Sequence, residues 1–357
     1  NEGRFWHRVH SMKLAEANGA ESVIVGNRCA DPDLSEICLS EALAFNRGHI
    51  TQLGRRTEFA DGAFPEADPF IVFRHAHPEL YEETESACDV GLFESSATLA
   101  NNSIRPHLVW ILAMNGLMSG HMPFDSVIEL VPEKIKRYAV LVLPDTECMS
   151  DPECRVLTDY VKNGGGAVLI ADASRFDSAR RRRPEPGLAG MLKRAENYSD
   201  VSALKPGASM RGTFGRGRFV YLKNLSTVAP FHDFEHCVDG PNIHPEAWRV
   251  PSNQAAFAGA IKWASSGRRM VSVTGPQGLA AEARKTGDGR LIVHLVNYRA
   301  DRTAKSTGLQ IASKEYGSAR MWDPHSKKSK KLEIRKSGGK LRVTVGNVRR
   351  YAVIEIS

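Results

Sequence analysis

With 357 residues, 42% of them hydrophobic, the chain is long enough to bury a substantial core and to form two or three domains. A mean hydropathy of −0.32 and the lack of any apolar run near the ~18 residues needed to span a bilayer exclude a membrane-crossing helix. The net charge of +7 traces largely to two local runs, Arg180–Arg183 and Lys327–Lys331, which read as solvated loops, so nucleic acid is not an expected partner. The first residue is Asn1 and no signal sequence is legible; either processing removed the start or the chain is a piece of a longer protein. Six cysteines, at 29, 38, 88, 148, 154 and 237, include no CxxC pair, so no structural zinc is expected. Cys29, Cys88 and Cys148 lie in or beside apolar runs and read as small buried hydrophobes; the compartment is not legible from them.

In chain order, apolar spacing predicts a helix over Phe5–Asn18, a short strand at Ser22–Val25 and a second helix over Ser35–Phe45, stopped by Asn46-Arg47-Gly48. One strand between two helices lacks the neighbours that would cover its polar edges, so residues 1–60 do not close into a domain. Thr51–Asp68 is loop-like, and Pro69–Tyr81 leads into the next block. There, Cys88–Phe93 reads as a strand, Ile104–Met118 as a helix and Ser126–Leu130 as a strand.

The stretch Tyr138–Ser174 contains a complete strand–helix–strand unit. Ala139–Leu143 and Ala167–Ala171 are unbroken apolar runs, as in parallel strands covered on both faces. Asp151-Pro152 opens the helix between them, with the acid as N-cap and the proline at the first helical position. Asn163-Gly164-Gly165-Gly166 stops it. Such a unit makes a right-handed crossover, so the two strands are expected to be parallel neighbours. With a further strand at Gly217–Leu222 and a helix over Gln254–Ser265, the pattern predicts a doubly wound α/β domain. Arg175–Gly207 reads as an excursion from the sheet edge with mobile loop in it, and Gly212–Arg218 as a hairpin turn.

After Arg269 the texture changes. Met270–Val273, Ala280–Arg284, Leu291–Asn297, Ser318–Trp322, Lys331–Ile334, Leu341–Val345 and Tyr351–Ile356 are short strand candidates. Thr286-Gly287-Asp288-Gly289 and Ser337-Gly338-Gly339 supply turns between them. A small antiparallel β-sandwich is expected.

The segment AVLVLPDTECMSDPECRVLTDYVKNGGGAVLIADAS resembles the middle domain of bacterial β-galactosidase-like glycoside hydrolases. His77-Pro78-Glu79-Leu80-Tyr81 followed by CDVGLF, the strand Gly217–Leu222, Leu291–Tyr298 and the closing Tyr351–Ile356 follow the same order. The resemblance implies three parts. Residues 1–75 would be the C-terminal remnant of a (β/α)8 barrel, and 76–268 a flavodoxin/amidotransferase-like doubly wound parallel sheet that serves trimerisation. Residues 269–357 would be a β-sandwich. It also implies a carbohydrate substrate, through the parent enzyme, and a homo-oligomer, most simply a trimer, with contacts from residues 86–235. Helix Ile104–Met118 is a candidate contributor, because Leu108, Val109, Trp110, Ile111, Leu112 and Met114 exceed one sheet-facing stripe; burial inside the chain is the alternative.

Glycoside hydrolysis needs two carboxyl groups flanking the scissile bond, in barrel enzymes at the carboxyl ends of strands. By the resemblance, Glu2 would be the nucleophile, if it ends the penultimate barrel strand. Asn1-Glu2 also resembles the Asn-Glu pair of the acid/base strand, but too little barrel follows it for that role. With one carboxylate the chain is not expected to hydrolyse glycosides alone. Nor does it carry the Gly-x-Cys-x-Gly elbow of catalytic amidotransferases: Cys148 stands between Glu147 and Met149, and Cys154 falls inside a helix. Both are read as scaffold.

The stretch Phe231–His244 holds His232, Asp233, Glu235, His236 and Cys237, plausible metal ligands whose spacing fixes nothing in a Pro/Gly-containing loop, and gives no role to His232, His236 or His244. No metal and no cofactor is expected. Trp248, Trp263 and Trp322 are of a type that stacks on sugar rings, and equally of a type that anchors in a core. The contrasting function class is a stand-alone scaffolding or binding protein for glycan or protein partners, which the same folds would serve.

Overall fold

A computed structural model describes residues 7–20, 32–49, 68–102, 104–226, 250–299, 302–313, 315–326 and 328–357. The expected strand Ser22–Val25 and the loop at 51–67 lie outside these. From the amino end, α1 (His7–Ala17), α2 (Pro32–Phe45) and α3 (Asp68–Ala76) precede β1 (Thr84–Ser86). Then come β2 (Val90–Phe93), α4 (Ser96–Asn101), α5 (Ile104–Ser119), β3 (Phe124–Val127), α6 (Pro132–Ile135) and β4 (Val140–Pro144). They are followed by α7 (Asp151–Lys162), β5 (Gly166–Ile170), α8 (Ala189–Leu192), β6 (Ser209–Phe214), β7 (Gly217–Leu222) and α9 (Gln254–Ala264). Strands close the chain: β8 (Val271–Thr274), β9 (Leu279–Thr286), β10 (Leu291–Asn297), β11 (Ala304–Ile311), β12 (Ala319–Trp322), β13 (Lys330–Lys331), β14 (Glu333–Ser337), β15 (Lys340–Val348) and β16 (Tyr351–Ile356). The chain divides into two compact units: Asn1–Cys88, His121–Pro123 and Met270–Ser357 form one, Asp89–Gly120 and Phe124–Arg269 the other.

The second of these is an α/β unit with strand order β3-β2-β4-β5-β7-β6. β4 and β5 are parallel neighbours, Val140 opposite Gly166 and Pro144 opposite Ile170, as the strand–helix–strand pattern predicted. Leu141, Leu143, Ala167, Leu169 and Phe219 pack against Leu157 and Val161 of α7. The alternate residues Val140, Val142, Val168 and Ile170 are equally buried, and α5 and α9 lie against β4 and against β5 and β7 respectively. Hence these strands have no polar face. The helix start differs by one residue from expectation. Ser150, not Asp151, is the N-cap of α7, and Ser150 and Glu153 form a capping box, because a hydroxyl satisfies the Glu153 N–H while the glutamate returns to the cap N–H. The strand expected at Ser126–Leu130 lies earlier, at Phe124–Val127. β6 and β7 form the expected hairpin, antiparallel at the sheet edge. Gly217 there cannot be anything larger: a Cβ would stand 2.0 Å from the Val161 carbonyl oxygen.

The first unit stacks two antiparallel sheets, β1-β9-β10-β16-β12-β13 and β14-β15-β11-β8. Between them lies a core that includes Leu291, Val293, Leu295, Ile354, Leu309, Leu341 and Val343. β11, absent from the sequence reading, is a central strand paired to β15 and β8. The candidate Lys331–Ile334 is in fact two strands, β13 in one sheet and β14 in the other. The outer face of β9, β10 and β16 is also buried, against α1 and α2, and polar side chains stand there among apolar ones: Glu282, Arg284, His294 and Tyr351 beside Ile292, Val296 and Val353.

Candidate functional site

In the α/β unit the chain passes from β2 to β3 on one side and returns to β4 on the other, so strand order reverses between β2 and β4. Ligand crevices in open α/β sheets form outside the carboxyl ends of strands at such a reversal. Here those ends carry Glu94-Ser95 after β2, Asp145-Thr146-Glu147 after β4 and Asp172 shortly after β5. Asp145 (φ 40°) and Ala171 (φ 57°) both turn into the left-handed region directly after their strands. Their N–H groups donate to Ile170 O and Leu222 O of the next strand, so each turn is held by the sheet itself.

Arg105, from the first turn of α5, reaches into this crown. Its Nη2 donates to Glu147 Oε1 (2.7 Å), Asp172 Oδ2 (2.7 Å) and Asp145 Oδ1 (3.0 Å), and its Nε lies 2.9 Å from Asp145 Oδ2. Asp145 is fully buried and also accepts from the Asp172 N–H at 3.1 Å. Burial pushes its carboxyl up to about 6, against the opposing pull of Arg105. Glu147 accepts from Asn102 Nδ2 (3.0 Å) and has Arg180 at 3.5 Å. The carboxylate oxygens of Asp145, Glu147 and Asp172 lie within 4.8 Å of one another, a donor set that suits a hard cation. Arg105 takes the same oxygens, so a cation and its guanidinium are mutually exclusive there. Neither the acids nor Arg105 stood out in the sequence.

Among the described residues beside the crown there is no activated nucleophile. Ser95 caps α4, accepting from the Thr98 N–H and donating to Cys148 O. Cys148 is fully buried; desolvation and Glu147 raise its thiol. Burial likewise pushes Cys154 up to about 11. Both shifts run opposite to what a thiolate nucleophile requires.

Three of the four arginines of the run Arg180–Arg183 are paired: Arg180 with Glu147, Arg181 with Asp177 (2.8 Å) and Arg183 with Asp151 (2.6 Å). Leu188, Met191 and Leu192 of the same excursion are buried in the α/β core. Trp263 lies under the guanidinium groups of Arg218 and Arg211, 5.1 and 5.5 Å from its ring centroid. Trp322 packs on His77 and donates to Glu355 at 3.0 Å, so both tryptophans are anchors rather than open sugar platforms. Glu2, His232, Asp233, Glu235, His236, Cys237, His244 and Trp248 lie outside the described residues. The apolar residues of α5 from Leu108 to Met114 are buried within the chain and leave no apolar face for a partner.

A polar network is also buried in the other unit. Lys13 of α1 pairs with Glu282 (2.5 Å), Glu16 with Arg284 (2.9 Å), and Tyr298 donates to Glu41 (2.7 Å), which also meets Arg8 (2.8 Å). His294 Nδ1 lies 2.7 Å from the Tyr351 hydroxyl, which meets that of Tyr81 at 3.0 Å. Charges that alternate along a strand read as a solvent face; here α1 and α2 cover them.

The two units together define a class of protein: an α/β sheet with its reversal crown filled by an arginine, accompanied by a helix-backed β-sandwich. Among the solved structures that share this fold are several glycoside hydrolases. The α-L-fucosidase isoenzyme 2 from Paenibacillus thiaminolyticus matches with a TM-score of 0.65 at 13% identity, over 99% of this chain and 63% of its own. The β-galactosidase from Bacillus circulans sp. alkalophilus matches with 0.60 at 12%, over 99% and 58%, and that from Rahnella sp. R3 with 0.60 at 11%, over 98% and 57%. At such identities the likeness is one of fold, and it agrees with the β-galactosidase-like resemblance seen in the sequence. The chain spans less than two thirds of the length of these structures. No protein-family model and no curated protein sequence matches it.

Proposed function

We propose that this chain is the C-terminal, supporting and assembling portion of a carbohydrate-active enzyme, a β-galactosidase-like glycoside hydrolase, and that it is not hydrolytic alone. One observation carries this: nearly the whole chain is matched in fold by glycoside hydrolases, each of which extends well beyond it. Residues 1–75 then end a catalytic (β/α)8 barrel, 76–268 are the amidotransferase-like domain and 269–357 the terminal sandwich. Glu2 is the nucleophile of that barrel, and the second carboxyl comes from elsewhere in it. The α/β domain joins subunits into a trimer through surfaces other than α5. In closed cyclic symmetry each contact pairs two different patches and buries at least about 1,000 Å².

The test compares the 357-residue chain with the product of the longer reading frame upstream of Asn1. Both are assayed on 4-nitrophenyl β-D-galactoside and α-L-fucoside, with mass by light scattering. Turnover by the longer product alone, at a trimer's mass, is expected. Turnover by the 357 residues, or none by the longer product on any aryl glycoside, overturns the proposal in favour of a stand-alone scaffold.

A further inference from the structure

The two sheets of the β-sandwich differ in what covers them. The sheet containing β9 and β10 is buried on both faces. The β14-β15-β11-β8 sheet turns Leu341, Val343, Leu309, Ile311, Val271 and Val273 to the core, while on its other face Arg335, Lys340 and Arg342 are exposed and Gln310 and Ser272 half-buried. Arg335, Arg342, Gln310 and Ser272 are successive cross-strand partners. They form one row across all four strands, about 14 Å long at the usual strand spacing. Arg335 and Arg342 are directly opposite and both exposed, an arrangement that costs stability between like charges. Lys340 lies two residues from Arg342 on the same face, about 7 Å along the strand. Arg335 has Glu333 at 2.8 Å, a surface pair of small energetic weight; Arg342 and Lys340 have no carboxylate partner among the described residues.

Charge distribution points the same way. Residues 301–350 hold fourteen lysines and arginines against four acids, a surplus of ten that exceeds the +7 of the whole chain. The rest of the protein is therefore net negative, and the basic excess belongs to the sandwich. An anion lying between Arg335 and Arg342 would convert their repulsion into two charge-assisted hydrogen bonds, and a guanidinium fork matches a carboxylate in two parallel bonds.

We propose that this open face binds an acidic polysaccharide, its carboxylates held by Arg335, Arg342 and Lys340 and its hydroxyls by Gln310 and Ser272. The choice of polysaccharide over other polyanions rests on the glycoside hydrolase reading above. The face itself favours it too: it is a sheet surface with no aromatic side chain in its row, whereas single-stranded nucleic acid calls for stacking platforms and duplex DNA for a helix or ribbon entering a groove.

The experiment is affinity electrophoresis and calorimetry of the full chain with sodium polygalacturonate, with neutral dextran and duplex DNA as comparators, at low and moderate salt. Retardation by polygalacturonate and not by dextran is expected, weakening as salt rises. Arg335→Gln with Arg342→Gln should weaken binding at least about tenfold at a melting temperature no lower than that of wild type. Glu333→Gln should strengthen it, and Arg181→Gln with Arg182→Gln, the same charge change on the α/β unit, should leave it intact. Equal loss in both double variants, or no retardation of wild type, overturns the assignment while leaving the hydrolase proposal to its own assay. Tighter binding of DNA than of polygalacturonate overturns the polysaccharide and counts against the hydrolase reading as well.

Discussion

Lys13 and Glu282, 269 residues apart in the chain, meet at 2.5 Å with both side chains 1% exposed. The pair pins α1 to the outer face of β9. Removing two ions from water costs several kcal/mol per ion, which their attraction offsets only while both are present. Lys13→Ala is therefore expected to lower stability by about 3–5 kcal/mol, because the buried Glu282 loses its counter-charge at 2.5 Å and keeps Arg284 at the longer 3.7 Å. Lys13→Met with Glu282→Leu should come within about 1–2 kcal/mol of wild type. Urea unfolding of the single and double variants checks this; a single variant no worse than the double would show that the pair is not what holds α1.

His294, fully buried on β10, should make the protein acid-sensitive. Burial, with repulsion from Arg284 and Lys13, holds its imidazole down from 6.5 to about 3. Above pH 6.5 both folded and unfolded states are neutral here, and stability is complete. As pH falls below 6.5 the unfolded chain takes up a proton that the folded one refuses, so stability is lost from there down towards pH 3. The total is of order a few kcal/mol. His294→Gln, which keeps an amide for the Tyr351 hydroxyl and cannot titrate, should flatten the melting temperature between pH 6.5 and 4. An unchanged slope in that variant would sink the assignment.

The fold was legible where one periodicity served one environment. Ala139–Leu143 and Ala167–Ala171 have no polar face because α7 packs on one side of their sheet and α5 and α9 on the other. β11 was hidden because AKSTGLQI mixes polar residues with a glycine, and its pairing with β15 shifts register around Thr307. The arginine crown was hidden for a different reason. Asp145, Glu147 and Asp172 are unremarkable acids in sequence, and only the β4–β5 register brings them to Arg105. A signal was available: an acid follows each of two buried parallel strands, at the end where such sheets place their sites. The buried face of β9 had none, since a helix-covered polar face and a solvated one share the same alternation.

Cys148 and Cys154 should be chemically quiet. Each thiol is buried and raised above its ordinary range, so the thiolate that alkylating agents attack is scarce at pH 7–8. Iodoacetamide applied to the native protein, followed by peptide mass spectrometry, should leave both unmodified while labelling them fully in urea. Intact mass after incubation with a glutamine-analogue electrophile should show no adduct; a covalent adduct on Cys148 would overturn the scaffold role of the α/β unit.

Arg105 is the sole cation in contact with all three carboxylates of the crown among the described residues, and its removal should matter more as pH rises. In wild type, Asp145 is raised from 3.8 to about 6 by burial, so its carboxyl contributes most below pH 3.8 and that stability is lost as pH rises through 6. Arg105 opposes the shift, hence without it the carboxyl rises further and the loss continues above pH 6. Arg105→Met should therefore cost about 1–3 kcal/mol near pH 8, the arginine being 43% exposed, and distinctly less at pH 5.5. Adding Asp145→Asn should recover much of the pH 8 deficit, since asparagine tolerates the left-handed backbone at that position and carries no charge. Thermal melts of wild type, Arg105→Met and the double variant at both pH values decide it. A deficit independent of pH, or one that Asp145→Asn leaves untouched, would mean that Arg105 acts by packing its stem rather than by neutralising the acids at the strand ends.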